Sequence, residues 1–471
     1  MLADPSISVL GPDPAHRKCA LNGYAFQQDA IQSCNGWQYS CFYSPLAGAG
    51  AEPEPLYVHL SRRKLPHGSW ETLVFDDYPQ TTDDGHNTVQ LGVCPGDGTI
   101  HLSYDHHCDQ IHYRHSIPNL ASDPPSFPWT PSLFTRTLPH LPGLESLSST
   151  LLSYITYPRF VPLPSTGGLL FSFRTGKAGL GDDHLASYSP ETHAYSLVGP
   201  VFIRGISCNP YVHGLDARGG RLHASWVWRG FVEYAGWDDP DDTQHKQQAG
   251  PNGAGNNHDI CYAWSDDGGR TWRAGGEEGG EPIADLPAGT PIAKGAKGIT
   301  AFDIPKGSGL TNQEAQAVDG QGGVHVLNRD CVGGEQRWKH YYRAPGGQWT
   351  SRALPLVDGS LGGKRGQLAI SRGASDLYLL LPDRSSDTLW IQRATRAQGY
   401  ADYALVWKGS GFPPTEPLVD RTRLEYDGVL SVYTRAYAGG QKKQEEGGEG
   451  EGEGEKKRKI DVVVLDFKLE E

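Results

Sequence analysis

The sequence reads as an all-β chain, a seven-bladed β-propeller of four-stranded antiparallel blades with an Asp-box. Three features carry that reading: a glycine turn followed by an alternating strand recurs along the chain, one hairpin has the spacing Ser-x-Asp-x-Gly-x-Thr-Trp, and the composition suits turns and aromatic strands. Of 471 residues 60 are Gly, 12 Trp and 22 Tyr, with a single Met. That balance favours tight turns and aromatic-rich strands over packed helices. Propellers carry such lengths as one unit, and no long linker interrupts the chain before residue 438, so residues 1–471 read as a single domain.

The recurring phrases are GDGTIHLSYD (96–105), TGGLLFSFR (166–174), GGRLHASWVWR (219–229), GGVHVLNRD (322–330), ASDLYLLLPD (374–383) and DGVLSVYTR (427–435). In each, apolar residues alternate with small or polar ones, as in a half-buried strand. The last three begin about 53 residues apart, the size of one four-stranded blade with its loops. From Gly219 to Gly322 is 103 residues, which leaves room for a further blade, and Asp259 to Trp272 is expected to fill it.

That stretch holds the Asp-box residues Ser265, Asp267, Gly269, Thr271 and Trp272. The Asp and Ser side chains are suited to cap hairpin backbone, Gly to supply the turn, and Trp to pack between sheets. Echoes without the Asp, GSWETLVF (68–75) and GQWTSRALP (347–355), read as outer hairpins of other blades. The Gly, Glu and Lys tract between 438 and 459 cannot bury enough apolar surface to order itself and reads as a charged, disordered loop insertion. Beyond it, IDVVVLDF (460–467) is a strong strand expected to complete a blade and close the ring.

The net charge of −13 argues against a nucleic-acid binder, which needs clustered Lys and Arg. No apolar run reaches the ~18 residues a membrane span needs. The eight cysteines include no CxxC pair, and Cys19, Cys34 and Cys41 are the expected disulfide partners in a secreted protein; buried free thiols are the alternative. The start, MLADPSISVLGPDP, lacks the regions of a secretory leader, so a secreted, extracellular protein is expected to have its leader outside this chain.

Candidate chemistry concentrates at 83–115, DDGHNTVQLGVCPGDGTIHLSYDHHCDQIHYRH, which holds six histidines. His86 precedes one strand, and His106 and His107 follow another, so both sets fall at strand ends where a propeller presents its functional loops. His101 and His112 read as packing residues inside strands. Together with GHN (85–87), DHH (105–107), TYPRF (156–160), LLFSFRTG (169–176), WVWR (226–229) and NNHDICYAWSDDGGRTW (256–272), this stretch resembles the BNR-type propeller polysaccharide lyases. The family includes ulvan lyases and fungal L-rhamnose-α-1,4-D-glucuronate lyases, and the resemblance covers roughly residues 80–330.

The resemblance implies β-elimination at a 4-linked glucuronate, leaving a 4,5-unsaturated uronic acid. Removing the C5 proton requires the carboxylate to be neutralised, a base at C5 and an acid at the departing oxygen. It assigns His86, His106, Tyr157 and Arg174 to catalysis, with Asn87, His107, Tyr211 and Arg229 around the substrate. Residue type does not decide which of His86, His106 and Tyr157 is base or acid. Each also has a structural reading: Tyr157 before a Pro as a turn-packing ring, Arg174 and Arg229 as partners of acidic loops, Tyr211 as core.

No redox cofactor is implied. Related lyases hold structural zinc or calcium, which makes His223, His258 and Cys261, with His213 nearby in sequence, the metal candidates, against a reading as ordinary core residues. DDPDD (238–242) lacks an EF-hand pattern and GPNGAGNN (250–257) the context of a phosphate loop. The expected partner is a uronate-containing poly- or oligosaccharide bound by a monomer. The acidic charge favours an arabinogalactan side chain of the gum arabic type, releasing L-rhamnose, over sulfated ulvan. A sialidase-like hydrolase and a non-catalytic carbohydrate-binding propeller are the alternatives.

Overall fold

The computed structural model describes the chain apart from residues 15–16, 24–28, 47–54, 240, 248–249, 276–278, 333–334, 356–363, 384, 441–457 and 470–471. Seven antiparallel sheets form the blades of a propeller. The first strands, Ile31–Cys34, Val89–Val93, Ile155–Leu163, Cys208–Arg218, Ala315–Val318, Gln367–Ile370 and Leu418–Val419, lie innermost and pack neighbour to neighbour around the axis. We number the blades I to VII in that order.

The six glycine-turn phrases supply the second strands of blades II to VII: Ile100–Tyr104, Gly168–Thr175, Arg221–Gly230, Val324–Val332, Asp376–Asp383 and Val429–Tyr437. The second strand of blade I, Trp37–Ser44, follows an Asn35-Gly36 turn in which both residues have positive φ. An Asn-Gly pair accommodates that conformation and matches the twist of a hairpin. GSWETLVF and GQWTSRALP lead into the outer strands Glu71–Gln80 and Trp349–Ala353.

One blade assignment changes. Asn257–Ser265 and Thr271–Ala274 are not a further blade between Gly219 and Gly322; the first pairs onto Arg221–Gly230 and the second onto the first, as outer strands of blade IV. The long interval arises because blade IV carries an insertion at 231–256 and an extra strand, Glu281–Asp285. The count remains seven because blade I lacks a glycine-turn phrase of the recurring form. Blade II departs from the four-stranded unit in the other direction, with three strands and isolated bridges at Tyr113/Leu138 and Ser116/Phe134.

The hairpin of blade IV shows what its spacing of side chains does physically. Asp267 Oδ1 accepts from the Arg270 and Thr271 N–H groups at 3.1 and 2.9 Å, and Ser265 Oγ accepts from the Gly269 N–H at 2.9 Å. Gly269 has φ +90°, closed to most side chains. Trp272 is fully buried against Phe202, its Nε1 donating to the Gly269 carbonyl. Between inner strands, Gly92 lets Phe160 approach so closely that a Cβ would lie 2.5 Å from it, which brings blades II and III together below the candidate site.

Blade VII closes the ring. Ile460–Lys468 pairs on one side with Val429–Tyr437 and on the other with the N-terminal strand Ser6–Pro12. The tract expected to be disordered lies almost entirely outside the described residues. All eight cysteines are free thiols, so no disulfide joins Cys19, Cys34 and Cys41. Cys41 is buried and behaves as a small apolar residue of the blade I core. Because Val464 is buried in the middle of the closing sheet, Val464→Pro removes a ladder hydrogen bond where none can be replaced. The expected loss is about 3 kcal/mol or more, read as a lower denaturant midpoint.

Candidate active site

Polar side chains of blades II, III and IV converge where their inner strands begin. Asp84 organises the first group. Its Oδ1 accepts from the His86 N–H at 2.9 Å and from His86 Nδ1 at 2.7 Å, while Oδ2 accepts from His107 Nδ1 at 2.5 Å. The two imidazoles stack with centroids 3.8 Å apart. With both Nδ1 atoms donating to one carboxylate, each ring turns its Nε2 away from Asp84.

Burial works against the charge on Asp84, but the hydrogen bonds and charges of His107 and His86 outweigh it and hold the carboxyl far below its ordinary value. Burial, reinforced by His107, pushes His86 down to about 4 against the pull of Asp84. Its side chain is still 26% exposed, so the ring is reachable.

His106 does not join them. Successive residues point to opposite sides of an extended chain, so when His107 faces the cleft His106 turns inward. It is 1% exposed, its Nε2 accepts the His112 N–H at 2.9 Å, and burial followed by the neighbouring His112 drives it well below its ordinary value. The expectation that His86 and His106 form the pair is therefore corrected to His86 and His107. His112 lies between strands, and His101 is buried in blade II beside the Tyr113 and Tyr195 hydroxyls.

Local backbone makes this turn possible. His107–Asp109 pairs onto the inner strand of blade III, with His107 opposite Thr156. Asp105, Cys108 and Tyr157 are non-glycine residues with φ of +69°, +57° and +59°. Such conformations cost of order 1–3 kcal/mol each and persist only where surroundings impose them. Asp105 is held by the Tyr78 hydroxyl at 2.6 Å, and Tyr157 sits in a bulge between Thr156 and Arg159 that lifts it off the ladder.

The Tyr157 ring lies 5.7 Å from that of His86, and the Arg174 guanidinium carbon is 4.7 Å from the centre of the Tyr157 ring. Burial raises the Tyr157 hydroxyl above its ordinary value, Tyr211 adds to this, and Arg174 and Arg229 oppose it. Tyr157 is thus a protonated donor at neutral pH. Arg174 and Arg229 both donate to the Tyr211 hydroxyl, at 3.1 and 3.2 Å. Both are buried, and neither forms an ion pair with a carboxylate among the described residues. Arg229 also donates to Asn257 Oδ1 at 2.8 Å. Two charged forks around one neutral oxygen leave positive charge available to an anion.

Asn87 is 2% exposed and its side-chain oxygen has no partner among the described residues. Tyr211 is core by burial yet joins the site through its hydroxyl. Below Tyr157 a small cavity is lined by Arg159, Asp183 and Gln313. Sequence reasoning missed Asp84, although its place two residues before His86 is the signal of an imidazole-orienting carboxylate. It also missed Tyr154 and His245; His245 reaches the site from an insertion, and nothing in its neighbours marks it.

The metal candidates do not converge. His223 Nδ1 meets the Tyr262 hydroxyl at 2.7 Å, His258 contacts Asp259 and Cys208, Cys261 is buried in blade IV, and His213 accepts the Glu314 N–H. Among the described residues, the one set of three ligand-type groups with donor atoms within 4.8 Å is Asp84, His86 and His107. Its donor types suit a divalent ion. However, both carboxylate oxygens already accept Nδ1 protons, so an ion there would displace both bonds.

The seven-bladed propeller thus brings paired imidazoles and paired arginines together where blades II, III and IV meet. Residues 37–356, more than half of the chain, match the model of the BNR repeat-containing family, and the chain belongs to that family. No curated protein matches the sequence. Among solved structures, the polysaccharide lyase Uly1 is similar over 99% of this chain and 100% of that one, at 18% identity and a TM-score of 0.67. A family 25 ulvan lyase is similar over 88% of this chain and 91% of that one, at 13% identity and a TM-score of 0.58. The same enzyme bound to -[GlcA(1-4)Rha3S]- gives the same values. At these identities the likeness establishes the fold.

An NMR titration checks the electrostatics. His86 is expected to stay neutral down to about pH 4. Because Asp84 raises the His86 value, Asp84→Asn moves the midpoint lower still; a midpoint near the ordinary histidine value of about 6.5 contradicts this arrangement. Since the folded value lies below the unfolded one, protonation of His86 costs stability as pH falls below about 6.5 towards 4.

Proposed function

We propose that the protein is a polysaccharide lyase that cleaves the L-rhamnose-α-1,4-D-glucuronate linkage by β-elimination. The observation that carries this is that two Nδ1-anchored imidazoles and the Tyr157 ring lie beside two arginines that form no ion pair with a carboxylate among the described residues. Arg174 and Arg229 neutralise the glucuronate carboxylate, which acidifies C5–H. The Nε2 atom of His86 or His107 takes that proton. The C5–H electrons form the C4=C5 bond, the C4–O bond breaks, and the departing rhamnose oxygen receives the Tyr157 proton. Tyr211 orients the arginines, and Asn87 Oδ1 is an acceptor for a sugar hydroxyl.

The ulvan lyase complex supports the reading, since its ligand pairs glucuronate with a sulfated rhamnose. The net charge of −13 supports an unsulfated substrate, such as the rhamnose-capped side chains of arabinogalactan. An enzyme acting on such a polymer would work outside the cell, in keeping with a secreted protein. No redox group is required, because elimination moves electron pairs within the substrate alone.

Incubation with rhamnose-capped glucuronides is expected to release rhamnose and raise the ultraviolet absorbance of a conjugated unsaturated uronate. Free sugar without absorbance would indicate a hydrolase, and neither would indicate a binding protein. His86→Ala, His107→Ala and Tyr157→Phe are each expected to lower kcat by about 10²–10⁴-fold. His106→Ala is expected to act chiefly on melting temperature, since its ring braces a buried amide.

A further inference from the structure

Between the second and third strands of blade IV, the described residues of the intervening segment, 231–239, 241–247 and 250–256, include several that contact blade III. At the base of this segment, Asn252 accepts the Val232 N–H at 2.7 Å and donates to the Val232 carbonyl at 2.9 Å. Further out, Lys177 of blade III donates to the carbonyl of Asp239 at 2.8 Å. Lys246 pairs with Asp109, two residues after His107. Between these anchors the short helix Gln244–Gln247 carries His245, whose Nε2 lies 3.1 Å from the Tyr154 hydroxyl.

His245 sets its ring edge-to-face against His107, with centroids 6.2 Å apart and planes at 76°. His107 thus has the stacked His86 and the upright His245 as ring neighbours. Its Nδ1 bond to Asp84 fixes one atom of the ring, but a single hydrogen bond leaves the plane free to rock about it. Aromatic neighbours fix a plane through contact geometry. Proton transfer depends on that plane, because it sets where the Nε2 lone pair points.

The geometry points to His245 as a positioning residue: carried by the blade IV insertion and held by Tyr154, it fixes the ring plane of His107 and so the direction of its Nε2. This rests on the reading of His107 as a proton-transfer group. Burial, then Lys177, His107 and Lys246, push His245 down to about 4, so the neighbouring ring is uncharged at neutral pH and does not repel a proton on His107. The insertion thereby makes a residue of blade IV part of a device built on blades II and III.

His245→Ala is expected to lower kcat about tenfold with KM changed less than about twofold, and His245→Phe, which keeps a ring, to recover most of the loss. In long-range ¹H–¹⁵N spectra, with His107 assigned by its disappearance in His107→Asn, the wild type should show His107 as the Nδ1–H tautomer, and His245→Ala should shift and broaden the His107 ring signals while leaving that tautomer in place. Unchanged kcat, a loss confined to KM, or unchanged His107 signals would overturn the inference. Should the wild type turn over no uronide, the lyase reading fails, while the spectra still decide whether His245 holds His107.

Discussion

The site depends on a ring that holds its shape, and the ring depends on one sheet sewn from both ends of the chain. Where that closing blade meets the first, a buried network spans the seam. Asp466 accepts from Arg63 and Arg423, each at 2.7 Å, and Gln38 links Arg63 to Asp420, which also takes the Ser33 hydroxyl. A lone charge there would be costly, and its partners come from segments almost the whole chain apart. Such a network is satisfied only when the ring is shut. That makes closure an all-or-none condition, and the blade-to-blade placement of Asp84, His107, Arg174 and Arg229 follows from it.

Within that frame the imidazoles and the arginines solve opposite electrostatic problems. Asp84 is a carboxylate surrounded by donors, so its charge is spent on orienting two rings. Arg174 and Arg229 are cations whose hydrogen-bond partners among the described residues are neutral. Asp183, across the strand from Arg174, is buried, and burial raises its carboxyl above the ordinary value against the pull of Arg174 and Arg159. One carboxylate is thus committed to orienting rings, while the two guanidiniums share a tyrosine hydroxyl.

The glycine-turn phrases were legible because hairpin geometry demands particular residues at particular places, and each such phrase marks the second strand of its blade. Blade I escaped because its turn is Asn-Gly without the preceding pattern, and blade IV was split because insertions stretch its spacing. The site was legible by residue type at His86, Tyr157, Arg174 and Arg229. The choice between His106 and His107 was not, since adjacent residues in a strand differ only in which way they face, and left-handed backbone at Asp105 and Cys108 sets that. His245 was illegible for a different reason: its relevance comes from an insertion folding back across a neighbouring blade.

The positive φ angles at Asp105, Cys108 and Tyr157 carry a further consequence. Glycine would adopt each without steric penalty, so a search for thermal stability alone rewards relaxation at all three. At Tyr157 that same relaxation deletes the ring standing over Arg174. A single backbone position therefore carries both the strain and the ring beside the Arg174 guanidinium, so relieving the one removes the other.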